Sequence, residues 1–297
     1  MSNNDPTRAL REFRAEHRYF LGIDSDGCAF DSMEIKHKEC FIPNTIKYWS
    51  LQPVSKYARE AAEFVNLYSK WRGINRFPAL TMVFDLLSER KEVRRRGVDI
   101  PVAQSLREWI ARETKLGNIA LRAAVRESKD PILENTLDWS EAVNRSIAEL
   151  VNGVPPFPFV RDCLKRAYAL ADIIVVSATP TEALQREWRE HDLAGYVRVI
   201  AGQEMGTKEE HLVLTASGKY PQNHVLMVGD APGDLHAART NHALFYPIIP
   251  GDEERSWQRF FEEGLDRFLT GKYAESYEQA LIGEFEAHLP DKPPWTG

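Results

Sequence analysis

Apolar residues gather in five short runs, at 19–23, 172–176, 197–201, 224–228 and 243–249. Each is rich in β-branched or aromatic residues and bounded by polar or turn residues, as buried strands are. The last four are separated by helix-like patterns, and that alternation predicts a parallel sheet covered by helices on both faces. One gap breaks the rhythm. Well over a hundred residues separate the first run from the second, far more than one crossover needs. Within the gap, 54–70, 79–93, 102–112 and 139–150 carry apolar residues at three- and four-residue spacing, with Pro78, Pro101 and Pro131 near the expected helix starts. The pattern therefore predicts a Rossmann-like α/β core, 1–34 and 155–297, with an α-helical domain, 35–154, inserted after the first strand. Pro155, Pro156 and Pro158 form a stiff connector back to the core.

Composition narrows the picture only a little. The 297 residues are 43% hydrophobic and 28% charged, as in an ordinary soluble globular protein. A formal net charge of -6 gives no general attraction to nucleic acid or to an anionic membrane, so neither is expected as a partner. The basic run Arg90-Lys91 and Arg94-Arg95-Arg96 reads as a solvated helix face. Cys28, Cys40 and Cys163 have no metal-ligand spacing and cannot all pair, which suits free thiols in a reduced cytoplasmic setting. The opening stretch MSNNDPTRALREFRAEHRYF is too polar for a signal peptide, and no apolar run is long enough to span a bilayer.

Chemistry is expected where the strands end, because ligands of open parallel sheets bind beyond the carboxyl ends. The first strand ends in Gly22-Ile23-Asp24-Ser25-Asp26-Gly27. Two acids two residues apart point the same way in extended chain, and Gly27 permits a sharp turn after them. The fourth ends in Val228-Gly229-Asp230-Ala231-Pro232-Gly233-Asp234. Asp230 and Asp234 could be helix caps. Two acid pairs after two apolar strands suggest instead carboxylates converging on a divalent cation, and hard oxygen ligands favour Mg²⁺. Between them, Ser177 and Ala178 follow the second strand at a helix start, a place for a phosphate oxygen, and Thr179 or Thr181 could cap that helix at the same time. Lys208 follows the third strand and could bring positive charge to the same edge.

In order and placement these segments resemble the four signature motifs of the haloacid dehalogenase-like hydrolases: DxDGxxxDS from Asp24 to Ser32, then Ser177, Lys208 and GDxxxD from Gly229 to Asp234. The inserted helices look like the cap that many members carry there. The resemblance implies Asp24 as nucleophile and Mg²⁺ ligand, and Asp26 as general acid and then base, its backbone carbonyl on the metal. Ser177 and Lys208 would hold phosphoryl oxygens, Asp230 would ligate Mg²⁺, and Asp234 would act in or just behind the ligand set. Glu209-Glu210-His211 follows Lys208, where well-known members have Lys-Pro. Members that cleave carbon–halogen bonds lack an acid at the position of Asp26, so the expected activity is Mg²⁺-dependent hydrolysis of a small phosphorylated metabolite. A sugar-phosphate mutase and a non-catalytic binding protein are the alternatives. Within the helical domain, Arg72 or Arg76 of the break 71–78 is a candidate to meet a polar or anionic part of the substrate, or else both are solvated arginines of a helix–helix connector. Trp49, Trp109 and Trp139 fit core packing, while His37 and His211 read as surface or satisfied residues.

Overall fold

The computed structural model describes residues 5–296, which divide into two compact units. One comprises residues 5–32 and Gly153–Leu289; the other comprises Met33–Asn152 and residues 290–296. The first holds a parallel sheet of β1 (Tyr19–Ile23), β2 (Ala171–Val176), β3 (Val199–Ala201), β4 (Val225–Gly229) and β5 (Leu244–Pro247), in the order β3-β2-β1-β4-β5. β3 and β5 are shorter than their apolar runs.

Alternation explains why the strands read as unbroken apolar runs. Tyr19, Leu21 and Ile23 enter one core with Val160, Leu164, Leu184, Trp188, Trp257 and Phe260. Phe20 enters another with Leu212, Leu235, Ala238 and Phe285. With both faces covered there is no polar face to alternate with. Each fully buried large side chain contributes about 1.5–3 kcal/mol by leaving water. Register follows: Ile23 lies opposite both Val175 and Val228, and Val176 lies opposite Ala201. Asp24, Ser177, Gly202 and Asp230 therefore leave the sheet at one edge.

The second unit is helical around its own core, which includes Trp49, Phe77, Phe84, Trp109 and Trp139. The expected helices are present as Ser55–Asn66, Arg76–Glu89, Gln104–Arg112 and Pro131–Leu150. The last is longer than the apolar pattern because Asp130, ahead of Pro131, caps the amides of Ile132 and Leu133. The helix expected over 79–93 breaks at Arg90, whose backbone is extended, and Lys91–Arg95 restarts beyond it. Asn118–Ser128 is a further helix beyond the four expected, and its Ala120, Leu121, Ala124 and Val125 pack against the same core.

Two expectations are corrected here. Residues 290–296 go with the helical unit and not with the sheet: the amide and ammonium of Lys70 reach Pro290 O and Asp291, and Trp295 packs edge-on against Phe64. Arg90 is not on a solvated face. It is buried between the rings of Tyr57 and Trp295, 4.4 Å from each centroid, and pairs with Glu60. Cys28, Cys40 and Cys163 are buried free thiols. Among the described residues no helix is long and apolar enough to cross a membrane.

Candidate active site

Beyond Ile23 the chain stays in the sheet for one more bond, Asp24 N donating to Val228 O at 3.0 Å, and then turns. The Ser25 carbonyl accepts the amides of Cys28, Ala29 and Phe30, and Gly27 takes a positive φ of 73° that other residues adopt only under strain. The Ser25 hydroxyl is held by Trp188 Nε1 at 3.0 Å and donates to Glu187. Asp24 is thereby fixed at the sheet edge, buried, with Oδ1 accepting the Ser25 amide at 2.7 Å.

Asp230 leaves β4 beside it, and Asp234 follows on the first turn of the Pro232–Thr240 helix. Ligand oxygens of Asp24, Asp230 and Asp234 all lie within 4.8 Å of one another, and all three residues are buried. Asp234 also caps its helix, Oδ2 accepting the Ala231 amide at 3.1 Å, so the capping role and the cluster role hold together. Gly229 makes this possible. A Cβ there would lie 2.4 Å from Asp234 Cβ and Cγ, so the site has room for Asp234 only while residue 229 has no side chain. Gly229→Ala is expected to weaken divalent-cation binding roughly 10–100-fold by displacing Asp234. Titration calorimetry with Mg²⁺ checks it, and unchanged affinity would show that Asp234 does not depend on this contact.

Lys208 completes the cluster, its ammonium 2.8 Å from Asp24 Oδ2 and 2.6 Å from Asp234 Oδ1. It occupies the first turn of the Lys208–Thr215 helix, where the macrodipole disfavours a cation. The two carboxylates outweigh both that and burial: burial pushes the lysine pKa down, but Asp234 and Asp24 hold it well above its usual range. For Asp234, burial and the Asp24 charge raise the pKa against the pull of Lys208. The residues after Lys208 have a local reason. Glu210 and Thr207 form a capping box, each side chain accepting the other's amide, which starts the helix at Lys208 without a proline. His211 is buried, and burial pushes its pKa down to about 4.

Three carboxylates against one ammonium leave two negative charges in a buried place, which one divalent cation would balance. The donors are hard oxygens of the kind Mg²⁺ takes. The residues present fit that ion, with Asp24, Asp230 and Asp234 as its holders. Asp26 has a different situation. Its carboxylate is half-buried and outside this cluster, Oδ2 accepting from the Thr179 hydroxyl at 2.6 Å and Oδ1 from the Ser32 hydroxyl.

Ser177 follows β2 and is buried, its amide bonded to Ala201 O and its hydroxyl accepting the Thr179 amide at 3.2 Å; Ala178 beside it is exposed. Thr179, a possible cap of the next helix from its sequence, does not cap it; its hydroxyl goes to Asp26 instead. Arg72 and Arg76 are not the solvated arginines of a connector, and their hydrogen bonds lie within the helical unit. Arg72 is only 3% exposed and donates to Leu67 O at 2.9 Å. Arg76 spends Nη1 on the Ser140 carbonyl and hydroxyl and on Asn144, over the ring of Phe41. Both brace the helical unit from within.

No protein-family model matches the chain, and no curated protein matches it. Solved structures do. The likeness is to haloacid dehalogenase-like hydrolases. One such hydrolase from Xanthomonas campestris is 9% identical over 88% of this chain and 96% of its own, with a TM-score of 0.46. Another, from Streptococcus pneumoniae, is 15% identical over 82% and 90%, with a TM-score of 0.43. A predicted phosphoglycolate phosphatase from Haemophilus somnus is 15% identical over 80% and 88%, with a TM-score of 0.40. At such identity and such loose superposition the likeness assigns no residue a role, and the roles rest on the side chains described above.

Proposed function

We propose that the protein is a Mg²⁺-dependent phosphatase of small phosphorylated metabolites that works through an aspartyl-phosphate intermediate. The observation that supports it best is the meeting of Asp24, Asp230 and Asp234 in one buried cluster, with the Lys208 ammonium on Asp24 and Asp234, from three separate segments of the chain. Phosphoryl transfer needs an in-line nucleophile, positive charge on the phosphoryl oxygens and a proton for the departing oxygen. Asp24 supplies the nucleophile, its carboxylate already oriented by the Ser25 amide. Lys208 and Ser177 supply positive charge and a hydroxyl at the same edge. Asp26 supplies the proton and later takes one from water. Splitting the displacement through an acyl phosphate replaces one hard step by two easier ones. Bound at Asp24, Asp230 and Asp234, Mg²⁺ would neutralise charge so that an anionic nucleophile meets an anionic substrate.

The test is a panel of phosphate monoesters assayed for inorganic phosphate with Mg²⁺ and with excess EDTA. Turnover of at least one ester with Mg²⁺, a fall to background with chelator and recovery on adding Mg²⁺ back are expected. Turnover indifferent to EDTA would remove the metal from the reading. Turnover only when a bisphosphate primer is present, without net phosphate release, would favour the mutase.

A further inference from the structure

We propose that Thr179 is a positioning residue for Asp26, fixing the carboxyl group that gives and then takes the catalytic proton; the inference rests on the phosphatase reading above. Its hydroxyl donates to Asp26 Oδ2 at 2.6 Å from the loop between β2 and the Thr181–Glu190 helix. That loop is itself pinned. The Thr179 amide donates to the Ser177 hydroxyl at 3.2 Å, and its carbonyl accepts the Gln203 amide at 3.0 Å. A Cβ on Gly202 would stand 2.6 Å from that carbonyl, so the segment after β3 lies directly against it. The hydroxyl therefore comes from a backbone held on two sides.

A hydroxyl suits this task for a chemical reason. It donates to a carboxylate and also accepts from a carboxylic acid, so it can serve Asp26 in both protonation states. A lysine or a backbone amide, having no lone pair to offer, would favour only the ionised form. Both states are needed in turn. In the first step Asp24 bonds to phosphorus, the ester P–O bond breaks, and the departing oxygen takes the Asp26 proton with the bonding pair. In the second, water bonds to phosphorus, its proton passes to Asp26, and the pair of the Asp24–phosphorus bond returns to Asp24 as phosphate leaves. The first of these steps depends on where the acid sits, and an error of about 1 Å in such a group can cost on the order of 100-fold.

Thr179→Val removes the hydroxyl and keeps the shape. The measurement is kcat/KM, which reports steps through phosphoryl transfer to Asp24, on two esters: p-nitrophenyl phosphate, whose phenolate leaves without protonation, and an alkyl phosphate, whose alkoxide needs the proton. The alkyl ester is expected to lose roughly 10–100-fold. The p-nitrophenyl ester should lose less than about threefold, because general-acid help is what was removed. Thr179→Ser should restore most of the alkyl activity, and Asp26→Asn should show the same leaving-group bias more strongly. Equal losses on both esters, or no loss on either, overturn the assignment of Thr179 while leaving the phosphatase reading standing. No phosphate release from any ester by the unsubstituted protein overturns both together.

Discussion

Asp24→Asn is expected to abolish phosphate release, lowering kcat by at least about 10³-fold, or roughly 4 kcal/mol of transition-state stabilisation. The substitution is nearly isosteric, so the amide of Ser25 can still bond the side-chain oxygen and the sheet edge keeps its shape. What goes is the negative charge. An amide neither attacks phosphorus usefully nor contributes the third carboxylate beside Asp230 and Asp234. Loss of that charge should also weaken Mg²⁺ binding and release Lys208 from one of its two partners. Thermal unfolding followed alongside turnover separates the effects: a melting temperature close to that of the parent with turnover gone assigns the loss to chemistry. Full turnover of every active ester by the asparagine variant would refute Asp24 as nucleophile and move the phosphoryl acceptor to another group.

The parts of the molecule that the sequence revealed are those where one physical demand dominates. Strands buried on both faces have to be apolar throughout, so Tyr19–Ile23 and Val225–Gly229 stood out, and their paired acids followed from where such strands end. Lys208 is hard to single out because a single lysine after a short strand carries no pattern. Its place depends on a capping box between Thr207 and Glu210, a signal readable in the sequence at the very residues that depart from Lys-Pro. Other features depend on contacts between distant segments and had no local trace. Arg90 is buried because Trp295 arrives from the far end of the chain, and Arg76 turns inward because Ser140 and Asn144 of a later helix receive it. Alternative uses of an arginine have the same sequence pattern, and only tertiary packing separates them.

Asp172→Ala is expected to destabilise the sheet unit by about 3 kcal/mol, at the lower end of the cost of breaking a buried ionic network. For a unit of this size that lowers its melting temperature by roughly 6–12 °C. The carboxylate is fully buried at the start of β2, at the opposite end of that strand from Ser177. It accepts the amides of Glu16 and His17 at 2.9 and 3.0 Å, the His17 ring nitrogen at 3.0 Å, Arg198 at 2.5 Å and the Tyr220 hydroxyl. Removing it leaves those donors unmet and frees the segment that leads into β1. The pH dependence fixes the cause. Burial alone would raise the Asp172 pKa, but the Tyr220, His17 and backbone hydrogen bonds overcome it and hold the group well below the ordinary carboxylate range. A depressed folded-state value means the stabilisation is complete above the unfolded carboxyl pKa of about 4 and is lost as pH falls below it. The stability gap between parent and Asp172→Ala should accordingly be constant near neutrality and narrow progressively below about pH 4, in urea unfolding at a series of pH values. A gap that stayed the same down to pH 2 would show that lost packing, and not the buried charge, accounts for the effect.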